Sequence, residues 1–151
     1  MASKATPLSV FGKLLEERIR GKAFFVVVFG SYVKGKMTKL SDLDIGVYPR
    51  SRDLDERLML SFEIVRSASE AFSVPEDKVD VVFLDGELPI ELLFNAVCRG
   101  ELTYLEDKDF YSDFRDRIIS EYLDFQVFKR KLKLCETYAK ALEKRIREWG
   151  K

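Results

Sequence analysis

Histidine is absent from this chain of 151 residues. Its absence excludes acid–base catalysis by imidazole and any zinc site that needs an imidazole ligand. Cysteine is nearly absent. Cys98 and Cys135 lie far apart in apolar, helical-looking contexts, which reads as two small core residues rather than a bridge or a metal site. Side-chain amides are reduced to Asn95 and Gln126 while 34% of residues are charged, a balance that favours ion pairs over thermolabile groups.

No charge surplus exists either, since Lys plus Arg and Asp plus Glu both number 26. A protein that grips a long polyanion carries a visible basic excess, so general nucleic-acid binding is disfavoured. The longest apolar run, Ala23 to Phe29, is far too short to cross a bilayer, and the amino-terminal stretch lacks the apolar core of a signal peptide. The expectation is a cytoplasmic protein with no membrane contact. Its length fits one compact domain.

Apolar periodicity predicts a helix over Leu8–Arg20 stopped at Gly21. Ala23–Phe29, a continuous β-branched and aromatic run closed by Gly30, reads as a buried strand, and Leu43–Tyr48 as a second one ended by Pro49. Asp53 with Glu56 forms a capping box for a helix whose apolar stripe is Leu54, Leu58, Phe62, Val65 and Ala68. Val79–Leu84 reads as a third strand interrupted by Asp80. A short helix runs from Pro89 through Val97, and Leu102–Leu105 makes a fourth strand.

From about Asp107 the apolar residues recur at three and four, from Phe110, Phe114, Ile118, Tyr122, Phe125 and Phe128 to Ile146 and Trp149. This is one long amphipathic helix or two in succession. A single helix of that span is roughly 60 Å long at 1.5 Å per residue, against a domain diameter of roughly 40 Å. It must therefore break, or overhang and meet something. The expected organisation is a core over 1–106 and a helical tail over 107–151, either part of the same domain or a partner-binding extension.

The chemistry gathers at Gly30-Ser31, then ten residues, then Asp42-Leu43-Asp44. Residues two apart on a strand face the same way, so Asp42 and Asp44 present their carboxylates side by side and repel unless a cation lies between them. Oxygen ligands of this kind suit Mg²⁺, which also accepts phosphate oxygens. Gly30 lets phosphates approach the backbone, Ser31 offers a hydroxyl, and Lys34 adds positive charge. Asp80 is costly to bury unpaired. Set beside Asp42 and Asp44 in a sheet, it would complete a three-carboxylate cage for two metal ions, suited to in-line nucleotidyl transfer from a nucleotide triphosphate.

The stretch Phe29-Gly30-Ser31-Tyr32-Val33-Lys34-Gly35 followed by Ser41-Asp42-Leu43-Asp44-Ile45-Gly46-Val47 resembles the minimal nucleotidyltransferases of the DNA polymerase beta superfamily. Within it the chain is most similar to the MNT antitoxins that accompany HEPN ribonuclease toxins. That closer likeness rests on Gly100-Glu101-Leu102-Thr103-Tyr104-Leu105 and on Glu121-Tyr122-Leu123-Asp124-Phe125. The resemblance implies an α/β nucleotidyltransferase fold, a small mixed β-sheet flanked by helices with a long C-terminal helix or helix pair. It further implies that Gly30, Ser31 and Lys34 hold the triphosphate of ATP and that Asp42, Asp44 and Asp80 ligate Mg²⁺ and carry catalysis. Lys34 stands where family members commonly have arginine, which keeps the charge without the bidentate contact.

By the same resemblance AMP passes from ATP to a tyrosine hydroxyl of a HEPN-domain toxin partner and silences it. The residues alone reach metal-dependent transfer to a hydroxyl. Two rival readings share the motifs: transfer to a small molecule, as in aminoglycoside nucleotidyltransferases, and a non-catalytic antitoxin that neutralises by binding. The apolar stripe of the tail predicts homo- or hetero-oligomers formed through the C-terminal helix.

Overall fold

The computed structural model describes residues 6–33, 35 and 42–149. A four-stranded mixed sheet lies in the order β3-β2-β1-β4. The central strand β1 (Ala23–Phe29) pairs antiparallel with β2 (Leu43–Pro49) and β4 (Glu101–Leu105), whereas β3 (Val79–Phe83) runs parallel to β2. Only the parallel pair needs a long crossover, and helix α2 (Leu54–Phe72) supplies it. The apolar run of β1 reflects burial on both faces, since Phe25, Val26, Val27 and Val28 are fully enclosed.

Alternation along the strands divides the core into two layers. Val26, Val28, Ile45 and Val47 face α1 (Pro7–Arg18) and α2, where Phe11, Leu15, Leu60 and Ile64 cover them. Phe25, Val27 and Phe29 face the other way, against α3 (Ile90–Cys98) and the start of α4 (Lys108–Trp149). By the same alternation Asp44, between Leu43 and Ile45, and Asp80, between Val79 and Val81, belong to the α3 face. That assignment fixes the side of the sheet on which the two carboxylates stand.

Asp53 caps α2 as the capping box predicts, its carboxylate accepting from the Glu56 N–H at 3.2 Å. The buried stripe of α2 differs from the expected one. Leu60, Ile64, Ser67 and Ala68 face the sheet, while Leu54, Leu58 and Phe62 are exposed. A helix with apolar residues on more than one face cannot be phased by periodicity alone, and packing against α1 and β3 settles the phase. Ser67 is tolerated in that interior because its Oγ accepts from Arg18 at 3.1 Å.

The tail is one helix of 42 residues, about 63 Å long. It overhangs. Its first third packs on the domain: Phe114 and Ile118 are buried, Phe110 stacks on Phe24 at 4.0 Å, and Tyr122 stacks on Phe94 at 3.8 Å. Lys129 pairs with Glu91 of α3, and from there to Trp149 every side chain is exposed. The exposed part includes Cys135, so the core reading of that thiol is wrong, and Cys98 is half-buried. Both are free. Among the described residues no helix is long and apolar enough to cross a membrane.

Where the domain ends along α4 is measurable. Ile118→Ala should cost about 2–5 kcal/mol of unfolding free energy, the usual range for an emptied core site, and Leu132→Ala on the overhang less than about 0.5 kcal/mol. Urea titration of the two variants checks this. Equal losses would place the overhang within the cooperative unit.

Candidate active site

Gly30 closes β1 with φ +78, a left-handed conformation that ordinary side chains adopt at a cost. A Cβ on this residue would stand 2.3 Å from Oδ2 of Asp44. The turn therefore favours glycine, and any side chain there would also push the Asp44 carboxylate aside. The pairing of Phe29 with Asp44 in the β1–β2 ladder produces this approach. Ser31 and Tyr32 continue the turn, and the Tyr32 ring meets Phe72 edge-on at 5.1 Å, which pins the turn to the end of α2.

Asp80 is the register partner of Asp44 on the neighbouring parallel strand. Directly opposed residues on adjacent strands have their Cβ atoms about 5 Å apart, so two carboxylates sit side by side across the ladder. Asp42 stands just before β2, two residues ahead of Asp44. The Asp44 carboxyl is held above the ordinary aspartate range, first by burial, then by the negative charge of Asp80 and then by that of Asp42. Two further acidic groups thus act on Asp44 at one end of the sheet.

They are neighbours, not a closed cage. Among the described residues no three acidic side chains converge tightly enough to enclose an ion as they stand. The donor set nevertheless fits a hard divalent cation: oxygen ligands only, mutual repulsion that a cation would relieve, and a glycine that leaves room beside Asp44. Asp42 and Asp80 are exposed. Of the other residues expected at the site, Ser31 is in the turn next to Gly30, and Lys34 lies outside the described residues.

Three contributions escaped the sequence reading. Tyr32 anchors the turn, Gly100 lets the end of α3 press on β1, and the Asn95–Arg99 pair of α3 borders Gly30. The spacing of Asn95 and Arg99 by four was the available sign, because such residues share one face of a helix. A Cβ on Gly100 would fall 2.2 Å from the Ala96 carbonyl oxygen and 2.9 Å from that of Val28.

The family model described as Polymerase beta, Nucleotidyltransferase matches residues 14–109. The chain belongs to the polymerase beta nucleotidyltransferase family. Among solved structures it is similar to a toxin–antitoxin crystallised with AMP-PNP, at 26% identity and TM-score 0.56 over 80% of this chain and 90% of the other. A mutant of the MntA-HpeT toxin-antitoxin gives 26% and 0.54, over 80% and 89%. A complex of tri-AMPylated Shewanella oneidensis HEPN toxin with MNT antitoxin gives 24% and 0.53, over 83% and 92%, and shows likeness of fold. No curated protein matches the chain in sequence.

Two outcomes test the geometry. Gly30→Ala should lose roughly tenfold or more in nucleotide affinity, since left-handed strain alone is worth about 1–2 kcal/mol, and calorimetry with nucleotide reads this. The second concerns charge. A carboxyl whose pKa is raised on folding destabilises the fold at pH above that pKa, and the penalty lifts as pH falls through it. Asp44→Asn should therefore melt at or above the wild-type temperature near neutral pH, with the gap closing in acid. A melting temperature well below wild type at pH 7 would contradict the crowding of negative charge.

Proposed function

We infer that the protein is a Mg²⁺-dependent adenylyltransferase that acts as an antitoxin, passing AMP from ATP to a tyrosine hydroxyl of a HEPN-domain toxin in the cytoplasm. The observation that carries this reading is the meeting of Gly30 and Asp44 with Asp80 across the ladder, in a chain of the polymerase beta nucleotidyltransferase family. The partner and the transferred group are supported by the similar solved structures, a toxin–antitoxin with AMP-PNP and a tri-AMPylated HEPN toxin bound to an MNT antitoxin.

In this reading Gly30 and Ser31, with Lys34, receive the triphosphate, and Asp42, Asp44 and Asp80 hold Mg²⁺. An ion held there would neutralise phosphate charge and lower the pKa of the acceptor hydroxyl. The acceptor oxygen then bonds to the α-phosphorus, the bond to the β-phosphate breaks, and pyrophosphate leaves while the hydroxyl proton passes to water. Gly30 contributes by having no side chain, so that a phosphate can lie against the backbone beside Asp44.

We assign residues 1–106 to the transferase core and 107–151 to the tail, with the overhang beyond Phe128 as the surface for the partner. The exposed Leu132, Leu142, Ile146 and Trp149 support this role, since a solvent-facing helix gains nothing from an apolar stripe.

Incubation with ATP, Mg²⁺ and a HEPN-domain toxin, followed by intact mass, should reveal toxin carrying AMP. Asp42→Asn/Asp44→Asn should lower the rate by about 10³-fold or more, the loss expected when electrostatic stabilisation of a phosphoryl transfer is removed. Equal modification by wild type and double variant would refute catalysis by these carboxylates. Silencing of the toxin with no mass change would favour neutralisation by binding. Deletion beyond Phe128 should leave the melting temperature nearly unchanged and weaken partner binding roughly tenfold or more, the effect of losing a few apolar anchors.

A further inference from the structure

A cavity of about 240 Å³ opens beside the turn, lined by Phe29, Gly30, Val33, Leu92, Asn95 and Arg99. It lies on the α3 face of the sheet, the face to which Asp44 and Asp80 belong, and shares Gly30 with the proposed phosphate site. Its place is set by the backbone. Gly100 holds the end of α3 against the Val28 carbonyl, so Asn95 and Arg99 cannot move away from the end of β1 without opening that contact.

We propose that this cavity receives the base of the nucleotide donor, with Asn95 as the residue that reads its edge and Arg99 as the residue that positions Asn95. This rests on the nucleotidyltransferase reading of the carboxylate site. The lining argues for a heterocycle. Phe29, Val33 and Leu92 offer apolar walls that suit a flat ring, while Asn95 and Arg99 supply the few polar groups. At about 240 Å³ it is smaller than the 300–1,000 Å³ of pockets that enclose a whole drug-sized ligand. It therefore takes one end of the nucleotide, while ribose and phosphates run along the Gly30 turn.

The polar groups are already oriented. Arg99 donates from Nη1 to Oδ1 of Asn95 at 3.3 Å, and its guanidinium lies over the Phe94 ring at 5.4 Å. With Oδ1 occupied, Asn95 has its NH₂ to offer, a donor for a ring nitrogen or carbonyl of a base. Phe94 is itself held by the stacked Tyr122 of α4. The chain from Tyr122 through Phe94 and Arg99 to Asn95 ties the packed part of the tail to the cavity wall.

Binding of ATP and of inorganic tripolyphosphate, each with Mg²⁺, separates the base from the phosphates. Wild type should bind ATP at least tenfold more tightly than tripolyphosphate. Asn95→Leu and Asn95→Asp should lose most of that difference with tripolyphosphate affinity unchanged within twofold, and Arg99→Ala should lose a smaller part of it. In transfer assays the Asn95 loss should appear in KM for ATP and leave kcat near wild type. Asn95 is half-buried and Arg99 exposed, so the variants should fold, and a melting curve checks this. Unchanged ATP affinity in both Asn95 variants overturns the proposal. If KM for the acceptor protein rises instead of KM for ATP, the cavity belongs to the acceptor and the proposal is again overturned. Wild type that binds neither ligand refutes the underlying donor reading, and this inference with it.

Discussion

The approach of Gly30 to Asp44 is the constraint on which the rest of the site depends. One atom more on Gly30 would meet the Asp44 carboxylate and force it to shift, so the turn and the charged strand fit together as they stand because that atom is missing. The antiparallel pairing of β1 with β2 creates the contact, and burial of both strands on both faces prevents it from relaxing. A continuous apolar strand at the centre of the sheet therefore matters for chemistry as well as for stability, because it denies the charged edge any freedom to slide.

Charge at this end of the sheet works against folding. Asp44 is partly desolvated and faces Asp80 and Asp42, and its raised pKa records the cost. Such crowding is retained at functional sites, where a stabler arrangement would bind less well. The parallel pairing of β2 with β3 completes it. Because that pairing requires a crossover, α2 both covers one layer of the core and delivers Asp80 opposite Asp44.

Much of the fold was legible in the sequence because its signals are local. The limits of β1 and the Asp53 cap follow from side-chain chemistry within a few residues. The motif Gly30-Ser31 with Asp42-Leu43-Asp44 was legible for the same reason, and so was the oddity of an acid at Asp80. The apolar stripe of α2 was misphased because Leu54, Leu58 and Phe62 are as apolar as Leu60 and Ile64, and only packing against the sheet distinguishes them. Cys135 was misplaced because a helical stripe looks the same whether or not a neighbour covers it.

By itself the sequence determined the reaction class, since a glycine turn and paired acids at strand ends are defined by residue type and spacing. It also determined that the tail is helical and too long for the domain. The tertiary structure decided the register that opposes Asp80 to Asp44, the face of the sheet on which they meet α3, and the point on α4 where packing stops. It alone placed Asn95 and Arg99 beside Gly30. Those features depend on which distant segments touch, and contact between segments remote along the chain is fixed by shared burial, which no local pattern encodes.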